Sequence, residues 1–181
     1  MIIERPEAFV TPEFLIHAAT QPWEIGGAAS LRHRTFVTEQ KIFEGHDRDE
    51  IDKTAIPLVA ISTMASEADD VVGTVRIHEA DTGIWWGSRL AVAPNYRRVG
   101  RLSVELIRLA VGTAHGKGCE AFFAHVQMQN VPLFEKLSWA SLGECTLHGH
   151  SHMKMIADLD AYPPIADPVR GWMALTRKRA A

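Results

Sequence analysis

Cysteine is scarce: Cys119 and Cys145 are the only two in 181 residues. Two isolated thiols make neither a disulfide framework nor a Cys-x-x-Cys metal knuckle, and both read as reduced, buried structural residues. A basic excess is also lacking, since 19 Lys and Arg stand against 22 Asp and Glu, a formal net charge of −3 at pH 7. The pI is near 6.3. A sequence-independent grip on nucleic acid phosphates or an anionic membrane needs a basic face, so neither partner is expected. No apolar run approaches the ~20 residues that cross a bilayer, and residues 1–11 lack the basic start and apolar stretch of a secretory leader. These absences predict a cytoplasmic chain whose partner is a small molecule or a protein, with a homodimer left open.

What is present suffices for one substantial core: 46% of residues are hydrophobic and 23% charged. Residues 1–22 carry three prolines and little periodicity, predicting an N-terminal arm with a short apolar turn at 14–19. A folded domain is expected over 23–160. Beyond it, Pro163, Pro164 and Pro168 interrupt a C-terminal extension, 161–181, that ends in a basic tail.

Within the domain, Ala28, Leu31, Thr35 and Phe36 suit an amphipathic helix from Gly27 to about Gln40, followed by a polar, acidic loop at 43–52. Strand patterns follow at 57–64, 71–78 and 84–92, joined by short gaps rich in Asp, Ser or Gly, as in an antiparallel meander. Val99, Leu102, Leu106, Leu109 and Ala110 then repeat at helical spacing until Gly116-Lys117-Gly118. A buried strand at 121–126, a short helix at 131–137 and two strands turning near Gly149 complete the α/β (α+β) pattern.

The stretch from Leu90 to Arg101 carries most of the chemistry. It runs from a strand through a tight basic turn into the long helix, where unpaired backbone N–H groups gather at the helix N-terminus. Gly100 permits close backbone approach to a pyrophosphate, and Arg97, Arg98 and Arg101 add charge-assisted donors.

Leu90-Ala91-Val92-x-Pro94-x-Tyr96-Arg97, with Arg97-x-x-Gly100, resembles the coenzyme A motif of the GCN5-related N-acetyltransferase (GNAT) family. Leu102 departs from it, standing where the family has Gly or Ala. Asn130, opening a short helix that leads to Leu137-Ser138-Trp139, is similar to the family's later Asn and helix. The resemblance implies a central mixed, mostly antiparallel sheet flanked by helices, with coenzyme A at splayed central strands. It also implies acetyl-CoA as co-substrate without a metal, held by Leu90, Ala91, Val92, Arg97, Arg98, Val99, Gly100, Arg101, Leu102 and Asn130. Transfer would then be direct, the amine attacking the thioester while a backbone N–H of the 90–92 strand polarises the carbonyl.

A second likeness is finer. Arg34-x-Phe36, the Asp47-x-Asp49-x-x-Asp52 spacing, Gly73-x-x-Arg76 and His150-x-His152 are similar to a bacterial GNAT branch and, in part, to acyl-homoserine lactone synthases. Both relatives place the segment of Asp47, Asp49 and Asp52 and the strand of Arg76 near the acceptor pocket, with Arg34 a further substrate-binding candidate; three carboxylates would form a cation-attracting rim there, and the competing reading is a solvated acidic loop. Phe134 stands where many members carry an acidic Tyr, and Trp86 where some carry a Glu base. Glu39 and His152 are the candidate proton carriers, His152 having a structural hydrogen-bonded role as its alternative. Three functions stay open: an N-acetyltransferase for a small-molecule primary amine, an acyl-homoserine lactone type synthase, and a coenzyme A binding module with weakened catalysis.

Overall fold

Eight strands make one sheet in the computed structural model, which describes residues 13–65, 67–98 and 101–175. They are β1 (Glu13–Ala18), β2 (Ile56–Met64), β3 (Glu67–Asp81), β4 (Ile84–Val92), β5 (Ala121–Gln127), β6 (Trp139–Leu147), β7 (His150–Ala157) and β8 (Trp172–Leu175), in the spatial order β6-β7-β5-β4-β3-β2-β1-β8. Every described pairing is antiparallel except β4 with β5, whose parallel run needs a crossover. Helix α2 (Leu102–Gly116) supplies it.

Both faces of the central strands are covered, so β2 reads as a nearly continuous apolar run. Leu58 and Ala60 pack with Leu106 and Leu109 of α2, while Val59 and Ile61 pack with Ala28 of helix α1 (Pro22–Arg32) on the opposite face. Two glycines set how near the helices come. A Cβ at Gly27 would lie 2.6 Å from Val71, and one at Gly73 would lie 2.9 Å from Leu106. Helix α1 starts at Pro22, not Gly27, because Glu24 accepts from the Thr20 and Gln21 N–H groups and Pro22 needs no partner there. It runs on as a π-helical stretch, His33–Glu39, whose wide turn carries the Gln40 N–H back to the Thr35 carbonyl.

Two segments differ from the sequence expectation. Residues 14–18, expected as an apolar turn in an arm, form β1, with Phe14 and Ile16 fully buried on the α2 face and Leu15 on the other. A strand buried on both faces shows no alternation, and six residues are too few for periodicity to separate it from a turn. The extension after 160 likewise sends Tyr162 and Ala174 into the core and adds β8 beside β1. No described helix is long and apolar enough to cross a membrane.

Candidate active site at the strand splay

Strands β4 and β5 pair from Ile84–Ala121 to Gly87–Ala124 and then part. Beyond Gly87, the β4 edge that faces β5 has no strand partner, leaving backbone donors and acceptors open to the gap. On its other side β4 also bulges: Thr74 faces Ala91 and Arg76 faces Ser88, so Arg89 and Leu90 together oppose Val75. Arg89 takes a left-handed conformation, φ 58°, where a non-glycine residue is strained.

What holds Arg89 there is a network of three arginines and three aspartates. Arg89 donates from Nη2 to the Asp47 carbonyl at 3.0 Å and from Nε to the Asp47 carboxylate at 3.1 Å, and its guanidinium lies 4.3 Å from the Phe43 ring centre. Arg32 reaches Asp47 at 2.7 Å and Asp52 at 2.6 Å. Arg76 grips Asp49 through two bonds of 2.7 Å and donates from Nε to Ser88 Oγ at 2.9 Å. Asp47 and Arg76 are each only 3% exposed.

The Arg76 hydrogen bonds hold the Asp49 carboxyl below its ordinary range. Burial opposes ionisation of Asp52, but Arg32 and Arg76 outweigh it and depress that group strongly. Burial, then the neighbouring Arg76, pushes the Arg89 pKa down. The expected cation-attracting rim is therefore corrected: Asp47, Asp49 and Asp52 are spent on Arg32, Arg76 and Arg89, leaving no net charge to attract an amine. Arg34 is exposed and outside this network; Arg32, two residues earlier, takes the expected place because it lies on the buried side of α1.

The gap opens on a cavity of about 230 Å³. Its apolar lining includes Leu90, Ile107, Phe122, Phe134 and Trp139, and its polar lining includes Ser88, Arg89, His125, Gln127 and His152. Asn130 also borders it. Phe134 packs edge-on to Trp139 and brings no hydroxyl, as its sequence position implied. His152, 8% exposed, has Nδ1 2.9 Å from the His150 carbonyl. A carbonyl only accepts, so Nδ1 is the donor in this contact. Burial, then the charges of His152 and Lys154, lower the His125 pKa and favour its neutral form.

The basic turn is divided. Arg97 is held by Glu39 through two bonds of 2.6 Å and by the Val92 carbonyl at 3.0 Å. Glu39 is thus the counter-ion of Arg97, and that hydrogen bonding lowers its pKa. Arg98 and Arg101 border a separate groove between α2 and the C-terminal segment, with Arg108, Tyr162 and Trp172. Leu102 points into the core, 1% exposed, so the departure from Gly or Ala places no side chain in the cavity. Val99 and Gly100 lie outside the described residues.

With this geometry, the profile of the Acetyltransferase (GNAT) family matches residues 27–139, well over half of the chain. The chain belongs to the GNAT family. Among solved structures, a Lactobacillus plantarum protein assigned as an N-acetyltransferase superposes with a TM-score of 0.69 at 18% identity, covering 81% of this chain and 98% of that one. Escherichia coli ElaA gives 0.66 at 16%, covering 80% and 98%. The CoA-dependent acyl-homoserine lactone synthase BjaI, solved with SAM and isopentyl-CoA, gives 0.65 at 18%, covering 81% and 83%. At such identities the likeness is one of fold. No curated protein sequence matches the chain.

Arg32, Arg89 and His125 were not anticipated. Arg32 and Arg89 carry no local signature, because ion pairs spanning 15, 20 and 42 residues are products of packing. His125 had a signal, an isolated polar residue among Phe122, Ala124 and Val126 that falls on the opposite face of the same strand.

Proposed function

We propose that the protein is an acyl-CoA dependent N-acyltransferase that moves acetyl from acetyl-CoA to a primary amine of a small molecule by direct transfer in a ternary complex. The observation that carries this reading is the parting of β4 and β5 beyond Gly87 and Ala124, which opens an apolar slot beside unpaired backbone. A pantetheine arm fits such a slot, since its amides can use the free strand edge and its methylenes the Ile107, Phe122 and Phe134 walls.

The acyl-CoA contributes an activated thioester. The chain's own residues do the rest. A backbone N–H of Leu90 to Val92, aimed by the Arg89 bulge, donates to the carbonyl oxygen and stabilises the charge that develops on it, worth about 3 kcal/mol for one such donor. The amine nitrogen forms the new C–N bond as the C–S bond breaks and the pair of electrons leaves on sulfur. His125 or His152 takes the amine proton through its free imidazole nitrogen. Phe134 offers no proton, so the thiolate departs as such or is protonated by water, which a thiol pKa near 8.5 allows. Arg97 binds phosphate only by exchanging its Glu39 partner.

The test is release of free thiol from acetyl-CoA with a panel of primary amines, with product mass confirming the amide. Absence of acetyl-CoA binding by calorimetry would reject the reading. Turnover only with longer acyl donors and S-adenosylmethionine would favour the synthase alternative, and tight coenzyme A binding without turnover the binding-module alternative.

A further inference from the structure

On the sheet face away from α2, Trp86 of β4 and Phe123 of β5 lie side by side, ring centres 5.3 Å apart and planes inclined by 33°. His125, two residues along β5, lies 4.8 Å from Trp86 with its ring plane inclined by 37° and also lines the cavity, so it joins this aromatic pair to the cavity. Lys154 reaches over from β7, its ammonium 4.9 Å from the Phe123 centre and 5.4 Å from that of Trp86. Trp86, Phe123 and Lys154 are all half-exposed. No carboxylate among the described residues pairs with Lys154, whose only contacts of this kind are the two rings.

Among the described residues, Lys154 is the unpaired charge at this floor. Among the described residues the cavity is lined by Arg89 and three histidines, with no Asp or Glu. The nearby Asp47, Asp49 and Asp52 are neutralised by arginines. A polycationic amine entering here would meet Lys154 with no anion to offset it, and would gain nothing from the network. An anionic group beside a flat body would gain twice, from a charge-assisted bond to Lys154 and from stacking on the Trp86–Phe123 pair.

We propose that the acceptor is an amine carrying a carboxylate next to a planar ring, the class of aromatic α-amino acids, with its ring on Trp86 and Phe123 and its carboxylate at Lys154. The α-amino group, between these two anchors, then lies toward His125, which lines the cavity. This names the acceptor of the acyl transfer proposed above and rests on that reading.

Calorimetry on the full chain saturated with coenzyme A tests it without requiring turnover. The ligands are phenylalanine, phenylalaninamide, phenethylamine and spermidine. Phenylalanine should bind about tenfold or more tighter than phenylalaninamide, a ratio set by one charge-assisted contact. In Lys154→Gln the ratio should fall to near one, and in Lys154→Arg it should persist, with circular dichroism checking the fold of each. Trp86→Ala should weaken all three ring-bearing ligands together. Equal binding of phenylalanine and its amide, tighter binding of spermidine, an unchanged ratio in Lys154→Gln, or no binding of any ring-bearing ligand would each overturn the acceptor assignment. Failure of coenzyme A itself to bind would instead remove the acyltransferase reading on which it rests.

Discussion

The guanidinium of Arg89 is clasped by Asp47 twice, through the carbonyl at 3.0 Å and the carboxylate at 3.1 Å, across 42 residues of chain. The same carboxylate oxygen accepts from Arg32 Nε at 2.7 Å. One buried aspartate thus ties the end of α1 to the bulge of β4, and the acid loop acts as a strut.

Asp47→Ala should therefore be costly. It leaves two largely buried guanidinium groups without their shared anion, and removing one partner of a buried pair costs about 3–5 kcal/mol. Asp47→Asn keeps the shape and one acceptor oxygen and should cost less. Urea unfolding monitored by tryptophan fluorescence gives both values; a loss below about 1 kcal/mol for the alanine variant would mean that the strut contributes little.

Arg89 separates backbone strain from charge. Glycine accepts φ 58° without penalty, whereas a β-branched residue is excluded from that region. Arg89→Gly should keep the bulge and lose only the ion pairs, while Arg89→Val should flatten it and misplace the donor edge at Leu90. We expect kcat of the valine variant to fall at least about tenfold below that of the glycine variant, since small displacements of positioning groups cost on that order or more. Equal kcat values would detach the bulge from catalysis.

Acid should loosen the same network. The folded-state pKa values of Asp49 and Asp52 lie below their unfolded values near 3.9, so their contribution is fully present above that value and is lost as pH falls toward the folded ones. The urea midpoint should drop between about pH 5 and pH 2, and drop less steeply in Asp49→Asn/Asp52→Asn. Parallel pH curves for the two proteins would show that other groups dominate acid unfolding.

Strands β2 to β5 and helix α2 were legible in the sequence because each has enough residues to show its period or its stops. Residues 14–18 and 172–175 were not, being short strands whose identity depends on neighbours far along the chain. The site divided in the same way. The gap between β4 and β5 was expected from the motif around Leu90 and Arg97, but the partners of Asp47, Asp49 and Asp52 were not. A sequence displays charges without displaying which of them cancel. Arg34 and Arg32 differ by two positions, and only the turn at which α1 widens decides which faces the aspartates.

Glu39 and Arg97 form a pair with both side chains about two-fifths exposed, so little stability depends on it. Glu39→Gln should change unfolding by less than about 1 kcal/mol. Because it frees Arg97 from a bidentate carboxylate, it should also tighten coenzyme A binding if that arginine turns to phosphate. Weaker binding in the variant would place Glu39 in the coenzyme site in a role other than competitor.

The proton relay decides the pH profile. An alkyl ammonium with a pKa of about 10 must be neutral to attack, and a base with a pKa below neutrality is mostly ready to receive its proton at working pH. Burial first, then His152 and Lys154, lower His125 beneath the ordinary histidine value of about 6.5, so kcat/KM should fall only in acid, through a limb below that value. The sign of the neighbour effect is testable. Removing the neighbouring imidazole in His152→Ala should move the limb upward, toward the ordinary value but not fully, because burial remains the larger cause. Lys154→Gln should move it the same way by a smaller step. In His125→Ala the limb should vanish, leaving the amine's own ionisation to shape the profile. With His152 as the base instead, the pattern reverses, His152→Ala abolishing the limb and His125→Ala merely displacing it. An identical limb in all three variants would exclude both histidines and assign the proton to a water chain from bulk solvent.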